Sequence, residues 1–339
     1  MTLLARDYDI RYGHGLALAE SAKWPRYVAV STPTAWKTAQ PFLAQQPAGV
    51  IFNEWLDSTH LEETADSLPD DAELVVGVGS GRALDHAKVV AARKNIPLIQ
   101  LATVVSTGAI IHTFCGNWTG RIMDGFLAEV AAEHVLIDYD LVLAGPERLN
   151  TAGIGDVLCG YAGMSEWRYS AARGLTEPFD DELADPVIAF HRQIVQDFPA
   201  TLGPNQELTP ASVKFIMQAV QGRDDHMLKH PAAPGADHSF CFSVEWASDK
   251  FWIHGETCAL AAVIVAWHTQ QDPDEIIRRL DICKVRFRPS DLEMSKAELR
   301  LGLEALPEWM SRGNSDSIMQ REPVTGDKFE ECWNWLQTV

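Results

Sequence analysis

No CxxC pair occurs in this sequence. Its six cysteines (Cys115, Cys159, Cys241, Cys258, Cys283 and Cys332) are scattered along the chain. That excludes a zinc ribbon and a disulfide scaffold, and reduced, mostly buried thiols are the expectation. Long apolar runs are also missing. The longest, Cys258 to Trp267, is far shorter than the roughly 20 residues that cross a bilayer, so no membrane insertion is expected. Positive charge is scarce, with 28 Lys and Arg against 47 Asp and Glu and a formal net charge of -19. Such a chain repels phosphate backbones, which excludes nucleic acid as a partner class. An anionic ligand then needs a local cluster of backbone N–H groups or arginines. The opening stretch, Met1-Thr-Leu-Leu-Ala-Arg-Asp7, lacks the charged head and apolar middle of a signal peptide, so a cytoplasmic protein is expected. No internal repeat or low-complexity segment is visible.

What is present is an ordinary globular balance, 46% apolar and 22% charged over 339 residues, enough for two domains. In the first half, β-rich runs alternate with helical stretches. Strands are expected at Tyr27–Val30, Gly49–Phe52, Leu74–Val78, Pro97–Ala102 and His134–Ile137, and helices over Ala35–Gln45 and Leu61–Leu68. Apolar, non-alternating strands between helices indicate a parallel sheet covered on both faces. Asn117-Trp-Thr-Gly120 reads as a hairpin tip. From about Gly145 the strand-like runs stop. Helices are expected over 155–172, 186–197, 210–221, 254–269, 273–280 and 296–308, with Pro186 and Pro273 in first turns. The expected organisation is an α/β domain over 1–146 and an all-α domain over 147–339.

The third strand runs into Gly77-Val-Gly79-Ser80-Gly81-Arg82-Ala83-Leu84-Asp85-His86-Ala87-Lys88. A strand, a tight glycine turn and a helix with an apolar Ala83, Ala87, Val90, Ala91 face follow in order. Glycines admit close approach of backbone N–H groups, and the helix start adds partial positive charge, which suits a pyrophosphate. An ordinary βα turn shares these features, and the spacing is not GxGxxG.

Three polar elements stand out in the helical half: Ala152-Gly-Ile-Gly-Asp156, Gly235-Ala-Asp-His238 and His254-Gly-Glu256. One carboxylate and two imidazoles form a three-donor set for zinc or a related cation, with a fourth position left for substrate. Each residue also has a simpler explanation. Asp156 reads as a carboxylate at a helix start, His254 as a cap and His238 as a surface loop histidine.

Taken together and in this order, these stretches, with Ile96-Pro97 to Ser106-Thr107, resemble the iron-containing alcohol dehydrogenase superfamily. The likeness is to its glycerol dehydrogenase and glycerol-1-phosphate dehydrogenase branch, to which dehydroquinate synthases are related in fold. The resemblance implies a parallel, Rossmann-like N-terminal α/β domain followed by an all-α C-terminal domain, a dehydroquinate synthase-like architecture. It implies that Gly79, Ser80 and Gly81 hold the pyrophosphate of NAD or NADP, with Asp85, Lys88, Thr103 and Ser106 nearby. It also implies that Asp156, His238 and His254 hold one divalent metal, zinc first, with iron and nickel as alternatives. The implied activity interconverts a small secondary alcohol, polyol or polyol phosphate and its ketone.

One departure bears on substrate. Where the family has an aspartate that contacts substrate hydroxyls, this chain reads Ser106-Thr107-Gly108, and His112 just beyond is a candidate replacement contact. Asn53-Glu54 ends the second strand, where an acidic side chain would bind a ribose hydroxyl. Two other classes stand beside the dehydrogenase: a lyase of the dehydroquinate synthase type using NAD transiently, and a non-catalytic ligand-binding descendant. For the lyase, Arg168 and Arg173 are the nearest phosphate partners after Asp156. Self-association into a homo-oligomer is common for acidic enzymes of this size.

Overall fold

Strands that are apolar at successive positions need cover on both faces. The computed structural model describes residues 9–52, 63–119, 122–226, 235–312 and 317–339. It contains a six-stranded sheet in the order β1-β8-β5-β4-β2-β3, parallel at every pairing. The strands are β1 (Ile10–Gly13), β2 (Tyr27–Ser31), β3 (Gly49–Phe52), β4 (Leu74–Gly79), β5 (Leu98–Ala102) and β8 (His134–Asp138). Tyr27, Ala29, Val76, Val78 and Leu101 enter one buried cluster. Val28, Val30, Val75 and Leu98 enter another, with Ala87, Val90 and Ala91 of the helix Gly81–Lys94. Alternate residues of a strand point to opposite faces, so these clusters are the sheet's two covered sides.

The five expected strands are all present. β1 escapes the apolar reading because Ile10-Arg-Tyr-Gly13 is short and polar, and it forms the edge beside β8. Strands β6 (Phe114–Thr119) and β7 (Ile122–Glu129) pair as an antiparallel hairpin; part of its expected tip, Gly120, lies outside the described residues, as do Asn53 and Glu54. The chain leaves β2 for β3 on one side and returns to β4 on the other. The glycine turn after β4 therefore lies beside the point where strand order reverses, the usual place for a ligand in open α/β sheets.

Residues divide into two compact units, Met1–Asn150 with Leu202–Gln221, and Thr151–Thr201 with Gly222–Val339. A single cut after residue 146 does not describe this, because the helix Pro210–Asp225 carries most of its length in the first unit. The second unit is helical throughout its described residues. At its centre is the helix His254–Thr269, buried along almost its whole length; the apolar run Cys258–Trp267 is this core helix. No helix among the described residues is long and apolar enough to cross a membrane.

Two expectations need correction. The stretch 155–172 is two helices, Glu147–Leu158 and Tyr161–Ala171, broken at Gly160, where a Cβ would lie 3.3 Å from the His191 ring. Pro186 lies inside its helix, because Asp180 caps the start earlier by accepting from the Glu182 and Leu183 N–H groups.

Candidate functional site

Asp156 ends its helix rather than opening it, in the last turn of Glu147–Leu158. The helix dipole opposes a carboxylate there, and Asp156 is 1% exposed. Three cationic or donor groups compensate. Arg223 donates from Nη1 to Asp156 Oδ2 at 2.7 Å. His238 Nε2 and His254 Nε2 face the other oxygen, Oδ1, at 3.2 and 3.3 Å. Burial pushes the carboxyl up, but the Arg223 charge and the two imidazoles outweigh it and hold it well below the usual range. Oδ1 itself is buried and accepts no well-aligned hydrogen bond.

Glycines bring these side chains together. A Cβ on Gly255 would lie 1.8 Å from the Ala152 carbonyl oxygen, and one on Gly155 2.5 Å from the Gly255 oxygen. The two helices cross backbone against backbone, which sets Asp156 and His254, each the sequence neighbour of one of these glycines, side by side. The helix Ala236–Ser248 enters by a similar approach, with Gly235 against the Gly163 backbone N, 2.6 Å from where its Cβ would stand. His238 therefore lies on a helix, not in a surface loop. Buried Glu166 fixes that helix start by accepting the Ala236 N–H at 2.5 Å, and its other oxygen accepts from Ser317 Oγ and the Ile318 N–H. Burial raises Glu166 to about 7 against these hydrogen bonds.

The outer faces of both imidazoles are also partnered. His238 Nδ1 is 2.6 Å from Asp237 Oδ2; in the neutral ring that a cation would bind, this carboxylate–histidine pairing places the proton on Nδ1 and leaves the Nε2 lone pair free. His254 Nδ1 is 3.3 Å from Cys241 Sγ. Burial lowers both imidazoles, yet Asp237, Cys159 and Asp156 raise His238 well above its ordinary value. Cys241 and Asp156 likewise raise His254, to about 10. The two side chains keep 38% and 31% of their surface exposed, so the group is accessible from one side.

The arrangement suits a cation. Four tetrahedral donors at roughly 2.0–2.3 Å from a zinc-sized ion stand roughly 3.3–3.7 Å apart. The 3.2 and 3.3 Å separations at Oδ1 match that edge. Asp156, His238, His254 and also Cys258 offer ligand atoms that all lie within 4.8 Å of one another.

In the first unit the glycine turn resolves into three different demands. A Cβ on Gly77 would fall 2.4 Å from Gln100 Oε1 and 2.9 Å from Ala87, so Gly77 lets helix and sheet pack. Gly79 has φ of 147° and Ala83 close by, so it makes the turn. At Gly81 the nearest atom is Thr107 Cγ2 at 3.7 Å, an ordinary contact. The described fold does not require glycine there. Ser80 precedes the helix Gly81–Lys94, and its hydroxyl lies 2.7 Å from that of Ser106, joining turn and loop. The buried Thr103 donates its N–H to the Gly79 oxygen at 2.8 Å. Lys88 is 1% exposed, and its ammonium bonds Asp85, the Ala109 carbonyl and the Phe114 carbonyl at 2.7, 2.8 and 3.2 Å. Those bonds use its three donors, so Lys88 braces the loop. Burial raises its partner Asp85 despite the ammonium.

Gly108 and His112 are one feature. A Cβ at 108 would fall 2.5 Å from the His112 ring, which stacks on Phe114 at 4.7 Å. The imidazole fills the space that an aspartate at 108 would need. Arg168 and Arg173 are engaged elsewhere, over the Phe179 and Tyr169 rings. Sequence reading misses Arg223, Glu166 and Cys258. The first two carry no local signal; Cys258 stands four residues after His254, a helical spacing that pairs side chains.

A family model described as iron-containing alcohol dehydrogenase matches residues 40–116. Glycerol-1-phosphate dehydrogenase [NAD(P)+] of Methanosarcina mazei is 25% identical over 247 residues, 71% of this chain and 66% of the relative. Its counterpart in Methanothrix thermoacetophila is 26% identical over 58% of this chain and 54% of the relative. The chain spans just under two thirds of the length of the first of these curated relatives, and less of the second. A probable glycerol dehydrogenase from Sinorhizobium meliloti superposes with a TM-score of 0.67 at 18% identity, covering 98% of this chain and 97% of that one. Sulfoacetaldehyde reductase from Bifidobacterium kashiwanohense, solved with NAD+, gives 0.60 at 16% identity, covering 98% and 97%. The α/β and all-α architecture is shared with these structures.

Proposed function

We propose, from its kinship with the iron-containing alcohol dehydrogenases, that this chain is a metal-dependent NAD(P) oxidoreductase acting on a small secondary alcohol, polyol or polyol phosphate. The observation that carries the proposal is the convergence of two imidazole Nε2 atoms on one buried carboxylate oxygen of Asp156. Asp156, His238 and His254 are the residues that would hold a divalent cation. When bound, the cation polarises the substrate oxygen and the nicotinamide takes or gives the hydride.

The chain's own residues prepare those partners. Arg223 keeps Asp156 anionic, and Asp237 would hold the His238 proton on Nδ1 when a cation takes Nε2. In the first unit, the N–H groups at the start of the helix Gly81–Lys94, with Ser80 and Ser106, supply an anion-binding surface in this acidic chain. The His112 ring over Gly108 replaces a carboxylate that would bind polyol hydroxyls, which favours a substrate recognised through a different group than free glycerol.

The deciding experiment is metal analysis of the purified protein with NADH and NADPH titration, followed by oxidation assays on secondary alcohols and polyol phosphates. One divalent ion per chain, lost in His254→Ala, with turnover of one of these alcohols, is the expected result. Nucleotide that is recycled rather than consumed would favour the lyase chemistry. A protein that binds neither metal nor nucleotide would overturn the proposal.

A further inference from the structure

Each of the three candidate donors is followed by a cysteine three or four residues later: Asp156 by Cys159, His238 by Cys241, His254 by Cys258. On a helix that spacing returns a side chain to the same face. All three thiols are buried. What separates them is the imidazole nitrogen each one faces. Cys159 Sγ is 4.0 Å from His238 Nδ1, and Cys241 Sγ is 3.3 Å from His254 Nδ1, both on outer edges of the rings. Cys258 Sγ is 3.7 Å from His254 Nε2, the same nitrogen that faces Asp156 Oδ1.

Cys258 therefore stands on the inner side of the donor group, within 4.8 Å of the ligand atoms of Asp156, His238 and His254. A nitrogen and a sulfur bound to one tetrahedral zinc, at about 2.0 and 2.3 Å, stand roughly 3.5 Å apart. The observed 3.7 Å is close to that edge. His254 and Cys258 also share one rigid helix, so the pair forms a chelate needing no loop to be ordered.

We propose that the Cys258 thiolate is a fourth protein donor to the cation, making the set Asp-His-His-Cys; this rests on the metal site proposed above. A second cation position, among Cys159, Asp237 and His238, is served by the outer nitrogen of His238, and the Asp237 hydrogen bond already accounts for it. A thiolate in the set selects zinc, cobalt(II) or cadmium over magnesium and manganese, whose preferred ligands are oxygens. It also closes the tetrahedron, so a substrate oxygen enters by expanding the coordination or by taking the place of the sulfur. An open three-donor site would need neither.

The test is optical. Protein stripped with a chelator is titrated with cobalt(II), and its near-ultraviolet absorption is followed for the sulfur-to-cobalt charge-transfer band. The wild-type chain is expected to show that band, saturating at one cobalt per chain. Cys258→Ser is expected to bind one cobalt without it, and Cys241→Ser to keep it. Zinc-edge X-ray absorption on the wild-type protein supplies a reading free of any folding defect in the variants, with one sulfur expected at about 2.3 Å. Stoichiometric cobalt that is lost in Asp156→Asn but gives no charge-transfer band, or a band surviving Cys258→Ser, overturns the thiolate donor and leaves the three-donor site intact. No stoichiometric cobalt at all overturns both. A band that depends on Cys258 in a protein that binds neither NADH nor NADPH upholds the donor while the dehydrogenase reading falls.

Discussion

The two candidate ligand regions are built by different means. The glycine turn after β4 is local: strand, turn and helix are consecutive, and Gly77, Gly79 and Gly81 act within a few residues of one another. The donor group is not local. It joins side chains from three helices, and its geometry depends on two backbone-to-backbone crossings, Gly155 with Gly255 and Gly163 with Gly235. A local device tolerates substitution at any position whose backbone and neighbours do not object. A device made by helix crossing fails when the crossing is spaced apart, however intact the donors are.

The sharpest way to break the second kind is Gly255→Ala. The new Cβ would stand 1.8 Å from the Ala152 oxygen and 2.7 Å from its carbonyl carbon, both backbone atoms with no rotamer to yield. The two helices must separate, at a cost of about 3 kcal/mol or more. Denaturant unfolding should show that loss, and cobalt binding should fall with it although every donor is retained. Unchanged stability together with full metal occupancy would show that the crossing is not what sets the site.

A smaller effect is expected from Glu166→Gln, and it depends on pH. Burial holds Glu166 at about 7, above the 4.5 of an exposed glutamate, so the folded state takes up a proton that the unfolded state has released. The stability this contributes is fully present below 4.5 and is lost as pH rises through about 7. The wild-type chain should lose a few kcal/mol across that interval, roughly 1.4 kcal/mol for each pH unit separating the folded from the unfolded value. Glu166→Gln should lack this part of the slope. Parallel stability–pH curves for the two proteins would mean that Glu166 does not titrate there. The contrast then sharpens, because the helix that carries His238 is fixed by a buried carboxyl 70 residues away in the chain, whereas the buried Lys88–Asp85 pair at the glycine turn is local to one helix.

The same contrast explains which parts of the molecule are legible in the sequence. The parallel sheet is legible because Val75, Val76 and Val78, or Leu98, Ile99 and Leu101, state their burial in the sequence itself. β1 is not, since a short edge strand with arginine and tyrosine makes no apolar run. At the donor group the residue types are visible while their positions mislead. Asp156, with Gly153 and Gly155 leaving room around it, reads as opening an apolar helix, whereas Gly155 lies in the close face of a helix crossing and Asp156 in the helix's last turn. His238 reads as a loop histidine because of the Pro/Gly run before it, most of which lies outside the described residues, whereas Glu166, 70 residues away, anchors a helix start at Ala236. Arg223 and Glu166 become visible only when helices distant in sequence are packed together.

The smallest effect on the fold is expected at Gly81→Ala, and it tests the local half of the comparison. Gly81 has no positive φ, and among the described residues the atom near its missing Cβ is Thr107 Cγ2 at 3.7 Å. Alanine also replaces glycine favourably at the start of a helix, because it reduces the freedom of the unfolded chain by about 0.4–1 kcal/mol. Unfolding should therefore show unchanged or slightly raised stability, in contrast to Gly255→Ala. Nucleotide affinity should move the other way, since a methyl group at 81 stands where a pyrophosphate would approach the helix start. Stability retained with weaker NADH or NADPH binding assigns glycine at 81 to the ligand. Affinity retained with stability lost would assign it to the fold, and the glycine turn would then share the structural logic of the helix crossing.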